Sequence, residues 1–224
     1  MGSGAQRSAE PRDGFRYLPA TFTDDQAALA ELRGFFDALP LDPYMPKEAP
    51  YRYRRLSGIT GPVNKLETQN ISILQAPDVN PLFPGVQRSF EGLLPEMVAC
   101  DAFRSAVSTF RELAQVSDDV QVDAHAIRTL AIPGAAGEPA PEGIHRDGAQ
   151  VLGIFCVART GLSGGITELY DADRKDAPSP SWRSQLEPGS CVVLNDRCMF
   201  HYTGRVQATR AAPGARDVLV LVCR

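Results

Sequence analysis

Hydrophobic residues give the chain two textures. After Asp24 and Asp25, Leu29, Leu32, Phe36 and Leu39 recur three and four residues apart, the period of one helix face, until Pro40 and Pro43 end the pattern. Residues 91–115 repeat it with Phe103, Val107, Phe110 and Leu113, and Asp101 is a candidate internal cap, so the stretch reads as one helix or two. Between these segments, residues 42–62 are rich in Pro and Tyr, and Gln69–Gln75 reads as a short strand. Beyond Val116 the helical period disappears. Short β-rich runs follow at 121–132, 150–159, 166–170, 190–195, 199–206 and 217–223, separated by Gly, Pro and Asp. No repeat of fixed period is visible. Many short strands with turns between them predict a sandwich or barrel. The expected fold is mainly β with buttressing helices: a jelly roll or cupin-like antiparallel double sheet carrying a helical N-terminal half. Residues 1–14 are small and polar and are expected to be disordered. Residues 15–224 then form one domain, with 15–116 as mostly helical support and a lid segment, and 117–224 as the β core.

Composition narrows the function. Lys plus Arg number 23 and Asp plus Glu 27 in 224 residues, a net charge of −4, with no basic stripe. That excludes nucleic acid or an anionic membrane as the main partner. The longest apolar stretch, Val151–Ala158, is too short to cross a bilayer, and the N-terminus lacks the apolar core of a secretory signal. Five cysteines without a CxxC fit neither a disulfide framework nor a zinc ribbon. A soluble cytoplasmic protein acting on a small molecule is the expectation, with the oligomeric state left open.

Candidate chemistry gathers around two of the three histidines, His125, His145 and His201. In Pro141-Glu142-Gly143-Ile144-His145-Arg146-Asp147-Gly148, His145 and Asp147 stand two apart, so in extended backbone both project to one side. His201 follows on a later apolar strand, after Asn195-Asp196-Arg197. Two imidazoles and one carboxylate on one face leave coordination positions open, as in non-haem Fe(II) oxygenases. Each piece alone has an ordinary reading: Asp147-Gly148 as a turn, His145 and His201 as core histidines. The ordered set is what points to a site: the HxD triplet, Gly164-Gly165, a strand-borne histidine, then Arg216 opening the apolar run 217–222. A guanidinium there can grip a carboxylate bidentately or simply pair with Asp217. Arg205 and Arg210 are rivals by spacing, but they lie in a polar turn-like stretch, whereas a strand fixes the direction of Arg216.

These segments, EGIHRDG (142–148), RTGLSGGITELY (159–170), LNDRCMFHYTGRV (194–206) and RDVLVLV (216–222), resemble the iron(II)/2-oxoglutarate dioxygenase family. The nearest part of that family is the bacterial free-amino-acid hydroxylases of the isoleucine dioxygenase-like group. The likeness runs from about Gln121 to the C-terminus, with a fainter echo at Tyr51–Gly58. It implies a double-stranded β-helix with helices behind one sheet. His145, Asp147 and His201 would be the Fe(II) ligands, and Arg216 would bind the distal carboxylate of 2-oxoglutarate. The implied reaction consumes O2, releases succinate and CO2, and hydroxylates an unactivated C–H; an Asp at position 147 favours that outcome over halogenation.

The substrate would be a free amino acid or a similar small molecule. Arg128 is the candidate for its carboxylate and Glu142 for its ammonium, while Arg52, Arg54 and Arg55 form a lid over an anionic group. Each has a plainer alternative as an ion pair or a solvated charge. His125 reads as structural, Tyr170 and Trp182 as parts of a mobile loop or its anchors, and Cys191 and Cys198 as buried thiols. Desaturation, epoxidation or cyclisation would use the same cofactors. A non-catalytic metal-binding β-barrel is the remaining alternative, although no fourth ligand closes the shell as structural zinc requires.

Overall fold

A computed structural model describes residues 14–19, 22–23, 25–45, 50–75, 82, 84–172 and 179–224. Of the stretch 1–14 expected to be disordered, residues 1–13 fall outside that set, as do Asp24 and Asp173, while Gly14 is ordered, its carbonyl accepting the Asn195 N–H at 2.8 Å. The two helical patterns become α1 (Gln26–Phe36), α2 (Pro95–Ala99) and α3 (Asp101–Ala114). Asp25 caps α1 by accepting the backbone N–H groups of Ala27 and Ala28, and Pro95 sits at the start of α2, where its missing N–H is harmless. The stretch 91–115 is therefore two helices, but the break falls at Cys100, with Asp101 inside the first turn of α3.

The strands are β1 (Phe15–Leu18), β2 (Arg52–Thr60), β3 (Glu67–Gln69), β4 (Ser72–Ile73), β5 (Arg88–Ser89), β6 (Val122–Ala131) and β7 (Val151–Thr160). They continue as β8 (Leu162–Gly164), β9 (Ile166–Asp171), β10 (Trp182–Gln185), β11 (Cys191–Asn195), β12 (Met199–Thr203), β13 (Val206–Ala208) and β14 (Gly214–Cys223). Seven form one antiparallel sheet in the order β1-β11-β7-β14-β6-β2-β3, and β10-β9-β12 form a smaller one. Side-chain alternation gives the large sheet two buried faces. One packs on the helices through Leu32, Phe36, Phe103, Phe110, Phe155 and Leu219. The other meets the small sheet through Leu152, Ile154, Leu169, Leu186, Leu194 and Val218. This is the expected jelly roll with buttressing helices. No helix among the described residues is long and apolar enough to cross a membrane.

Two expectations for the N-terminal half are corrected. Residues 15–116 are not mostly helical, because β1 and β2 both join the large sheet. The Tyr51–Arg55 segment is no surface lid: it is the start of β2, paired with β6 from Arg52↔Thr129 to Ile59↔Val122. Its alternation is real but inverted in polarity. Arg52 and Arg54 point to the buried side, while Tyr53 packs against the helical core. The stretch 69–75 divides between β3 and β4, which belong to different sheets. Trp182 lies on β10 and stacks on Phe15 and Tyr17 with ring centroids 5.5 and 5.1 Å away, so it anchors rather than moves. Cys198 is exposed, unlike Cys191.

Arg128 is also relocated. It faces the helix side of β6, opposite its cross-strand partner Asp217 on β14. Its Nε and Nη2 donate to the two Asp217 oxygens at 2.7 and 2.8 Å, and its Nη1 donates to Asp37 just beyond α1. The Asp217 side chain is 2% exposed, so this pair clasps β6 to β14 on the face toward the helices, and Asp37 adds an exposed tie from the end of α1. Arg128→Met strands a buried carboxylate and is expected to lower unfolding free energy by about 3 kcal/mol in urea denaturation. Asp37→Ala, at an exposed position, should have a much smaller effect; equal losses from the two variants would refute the clasp.

Candidate active site

Two strand segments are locked together where the histidines sit. The His145 N–H donates to the His201 carbonyl at 3.0 Å, and the His201 N–H returns to the His145 carbonyl at 2.8 Å. This reciprocal antiparallel pair brings the two imidazoles to a centroid distance of 4.2 Å, tilted by 51°. Asp147, one strand period on, places Oδ1 3.6 Å from His145 Nε2. One donor atom from each of His145, Asp147 and His201 lies within 4.8 Å of the others, close enough to hold a single ion. Among the described residues no other such group of His, Cys, Asp and Glu occurs.

The surroundings put these donors in ligand form. His145 Nδ1 donates to the Gly143 carbonyl at 2.9 Å, which orients the ring with Nε2 toward Asp147. Burial, together with nearby His145, lowers the His201 pKa to about 3, so its imidazole is neutral. Burial raises the Asp147 carboxyl, but positive charge around it, from the two histidines when protonated and from Arg224 and Arg54, outweighs that and holds the group below the usual carboxylate range. Neutral imidazole and ionised carboxylate are the states a metal binds.

Asp196 supports this arrangement and was not singled out from sequence. It is buried and accepts the backbone N–H groups of Asp147 at 3.1 Å and Ala149 at 2.8 Å, pinning the chain on both sides of Gly148. Gly148 has φ +72°, a conformation that favours glycine. Asp196 Oδ1 also lies 3.9 Å from His201 Nδ1. Its signal in the sequence was only its place in the turn before β12.

Arg216 lines the same cavity as the triad, along with Val218 and Val220 of β14. It is 3% exposed, and its Nε and Nη2 are buried without hydrogen-bond partners. A buried guanidinium with idle donors is costly unless an acceptor arrives, and a carboxylate fits that fork. The spacing rivals lie elsewhere: Arg205 pairs with Glu138 at 2.7 Å, and Arg210 is exposed. Arg159, the cross-strand partner of Arg216, donates to the Gly164 carbonyl at 2.6 Å. A Cβ on Gly165 would press to 2.8 Å on Val206 and 3.0 Å on Arg159, so the glycine pair permits close packing behind Arg216.

On β6 it is His125, not Arg128, that faces the cavity. Burial lowers its pKa well below the ordinary value, so Nδ1 can accept from Arg54 Nη2. Arg54 stacks on Phe90 with Cζ 4.5 Å from the ring centroid, and burial lowers its pKa to about 9. Glu142 also lines the cavity, as do Arg52 and Arg88. Arg88 donates to Gln75, whose Nε2 reaches the Asp147 carbonyl at 3.3 Å.

The sequence pattern of the 2OG-Fe dioxygenase family matches residues 33–222. The chain belongs to this family. Its members use Fe(II), 2-oxoglutarate and O2, and the triad beside a buried, carboxylate-ready arginine fits both the metal and the co-substrate. The dioxygenase is similar to a crystal structure of a bsmA homolog from Methylobium petroleophilum PM1. The TM-score is 0.79 at 28% identity, over 95% of this chain and 89% of that one. It shares its fold with IDO from Bacillus thuringiensis, at a TM-score of 0.73 and 15% identity over 93% and 89% of the chains. The Fe(II)/α-ketoglutarate-dependent dioxygenase TqaL has the same fold at a TM-score of 0.68 and 15% identity, over 95% and 82%. Comparison with curated proteins gave no match.

If Asp196 orients the metal loop as described, Asp196→Ala should weaken Mn(II) or Fe(II) binding by about 10–100-fold while leaving the fold intact. Metal titration with a competing chelator measures this, and unchanged affinity would remove Asp196 from the site.

Proposed function

We propose that this dioxygenase hydroxylates an unactivated C–H of a free amino acid or a closely similar small molecule, releasing succinate and CO2. The observation that carries the reading is the pair of idle, buried Arg216 donors in the cavity that holds His145, Asp147 and His201. On this reading the three donors hold iron in an open shell, and Arg216 grips the distal carboxylate of 2-oxoglutarate. Iron and 2-oxoglutarate, when bound, would activate O2, the oxidant, one oxygen atom going to succinate and the other to the substrate.

The chain supplies orientation and shielding. The reciprocal backbone pair sets the two imidazoles, and Asp196 fixes the backbone that carries Asp147. Ile127, Leu152, Ile154, Val218 and Val220 form an apolar wall that keeps water from the reacting carbon. Arg54, aligned by His125 and Phe90, binds the substrate carboxylate, and Glu142 on the loop entering the metal segment meets its ammonium. The Arg128 assignment gives way to Arg54, because Arg128 is spent on Asp217.

Anaerobic titration with Fe(II) and 2-oxoglutarate should produce a weak visible charge-transfer band that His201→Ala abolishes. Succinate release on an amino-acid screen should vanish in His145→Ala and Asp147→Ala. Arg216→Met should raise the 2-oxoglutarate concentration needed for half-maximal rate by at least about tenfold, the scale of one lost ionic hydrogen-bonded contact. An Asp147→Ala protein with full activity would overturn the ligand assignment.

A further inference from the structure

The segment that carries His145 and Asp147 meets β12 through one isolated bridge, His145↔His201, rather than a ladder. It runs between Gly143 and Gly148, both at positive φ, 80° and 72°. A ladder fixes the direction of a strand as well as its position, whereas one bridged residue between two glycines fixes little more than a point. The spacing and tilt of the two imidazoles therefore need a further hold.

Arg146 is placed to supply it. It stands between two donors that point into the cavity, so in extended backbone its own side chain leaves on the opposite side. There its Cζ lies 4.7 Å from the ring centroid of Phe200, the residue before His201. Phe200 alternates with His201 on β12, where Met199, His201 and Thr203 are buried and Phe200 is half-buried. Arg146 Nη1 also donates to the Arg197 carbonyl at 3.0 Å, in the turn whose Asp196 accepts the Asp147 and Ala149 amides. One turn is thus tied to the metal segment by Asp196 and by Arg146. Among the described residues Arg146 forms no ion pair, so its charge is spent on the ring and the carbonyl. A cation beside two metal donors repels a divalent ion, which makes electrostatics alone a poor account of its place.

We propose that Arg146 is a positioning residue for the metal: its cation–π contact with Phe200 and its bond to the Arg197 carbonyl strap the two donor-bearing segments together and set the separation of His145 and His201. The inference rests on His145, Asp147 and His201 being the metal ligands, and adds a residue that holds their spacing without meeting the ion. The strap links residues adjacent to His145, Asp147 and His201, so a change in it is transmitted through one Cα in each segment.

The test is calorimetric titration of the full chain with Mn(II), which gives affinity and the number of sites per chain separately. Unfolded chains lower the number of sites and not the affinity. Arg146→Met should bind Mn(II) about tenfold more weakly. Phe200→Leu, which removes the ring and leaves the carbonyl bond, should lose about fivefold, and Phe200→Tyr, which keeps a ring, should stay within about twofold of the unaltered chain. The double variant Arg146→Met/Phe200→Leu should lose about tenfold, as Arg146→Met alone does, because the same contact is removed only once; independent effects would multiply to about fiftyfold. Unchanged or tighter binding in Arg146→Met overturns the proposal and leaves the ligand assignment standing, since tighter binding is what removing a cation from beside a dication produces. Multiplying losses in the double variant, or an equal loss in Phe200→Tyr and Phe200→Leu, overturn it as well. Mn(II) binding that His201→Ala leaves unchanged overturns the ligand assignment and the proposal with it.

Discussion

The reciprocal pair of backbone hydrogen bonds between His145 and His201 is the constraint on which the rest of the site depends. It belongs to the main chain, so it fixes where both imidazoles start before any side chain packs. Asp147 then follows from strand geometry, because a residue two further along extended backbone returns to the same side. Asp196 adds a second tie from the turn between β11 and β12, holding the amides of Asp147 and Ala149. The three donors are thus positioned by connections between two segments far apart in sequence.

The large sheet extends this logic outward. Adjacent residues on β14 do opposite work: Arg216 enters the cavity, while Asp217 faces the helices and accepts both arms of Arg128. The clasp holds β6 and β14 together directly behind the cavity wall formed by Ile127, Thr129 and Val218. A polar anchor on one face therefore steadies a polar site on the other, and hydrophobic contacts fill the space around each.

Much of this was legible in the sequence. The helix periods, most of the C-terminal strands, the HxD triplet, His201 and Arg216 all obey local rules of spacing and direction. What stayed hidden has a common cause. β2 did not read as a strand because its buried side is arginine, the reverse of the usual pattern, and the reason for that lies in a cavity the sequence does not display. Arg128 was chosen over His125 for the same reason: both sit on β6, and only the neighbours Asp217 and Asp37 reveal which one faces the helices. Asp196, Arg88 and Gln75 act through partners on distant segments. Nothing local marks them.

The position of β2 has a consequence for how such an enzyme diversifies. It lies one strand in from the β3 edge and pairs with β6 and β3, sharing no ladder with β12 or with the His145 segment. Arg52 and Arg54 can therefore be exchanged without disturbing the hydrogen bonds that align the metal donors. Where Arg54 meets the substrate as proposed, selectivity can change on a strand that bears none of the hydrogen bonds holding the reactive centre, whereas a change at Glu142, on the loop that leads into His145, would reach that centre directly.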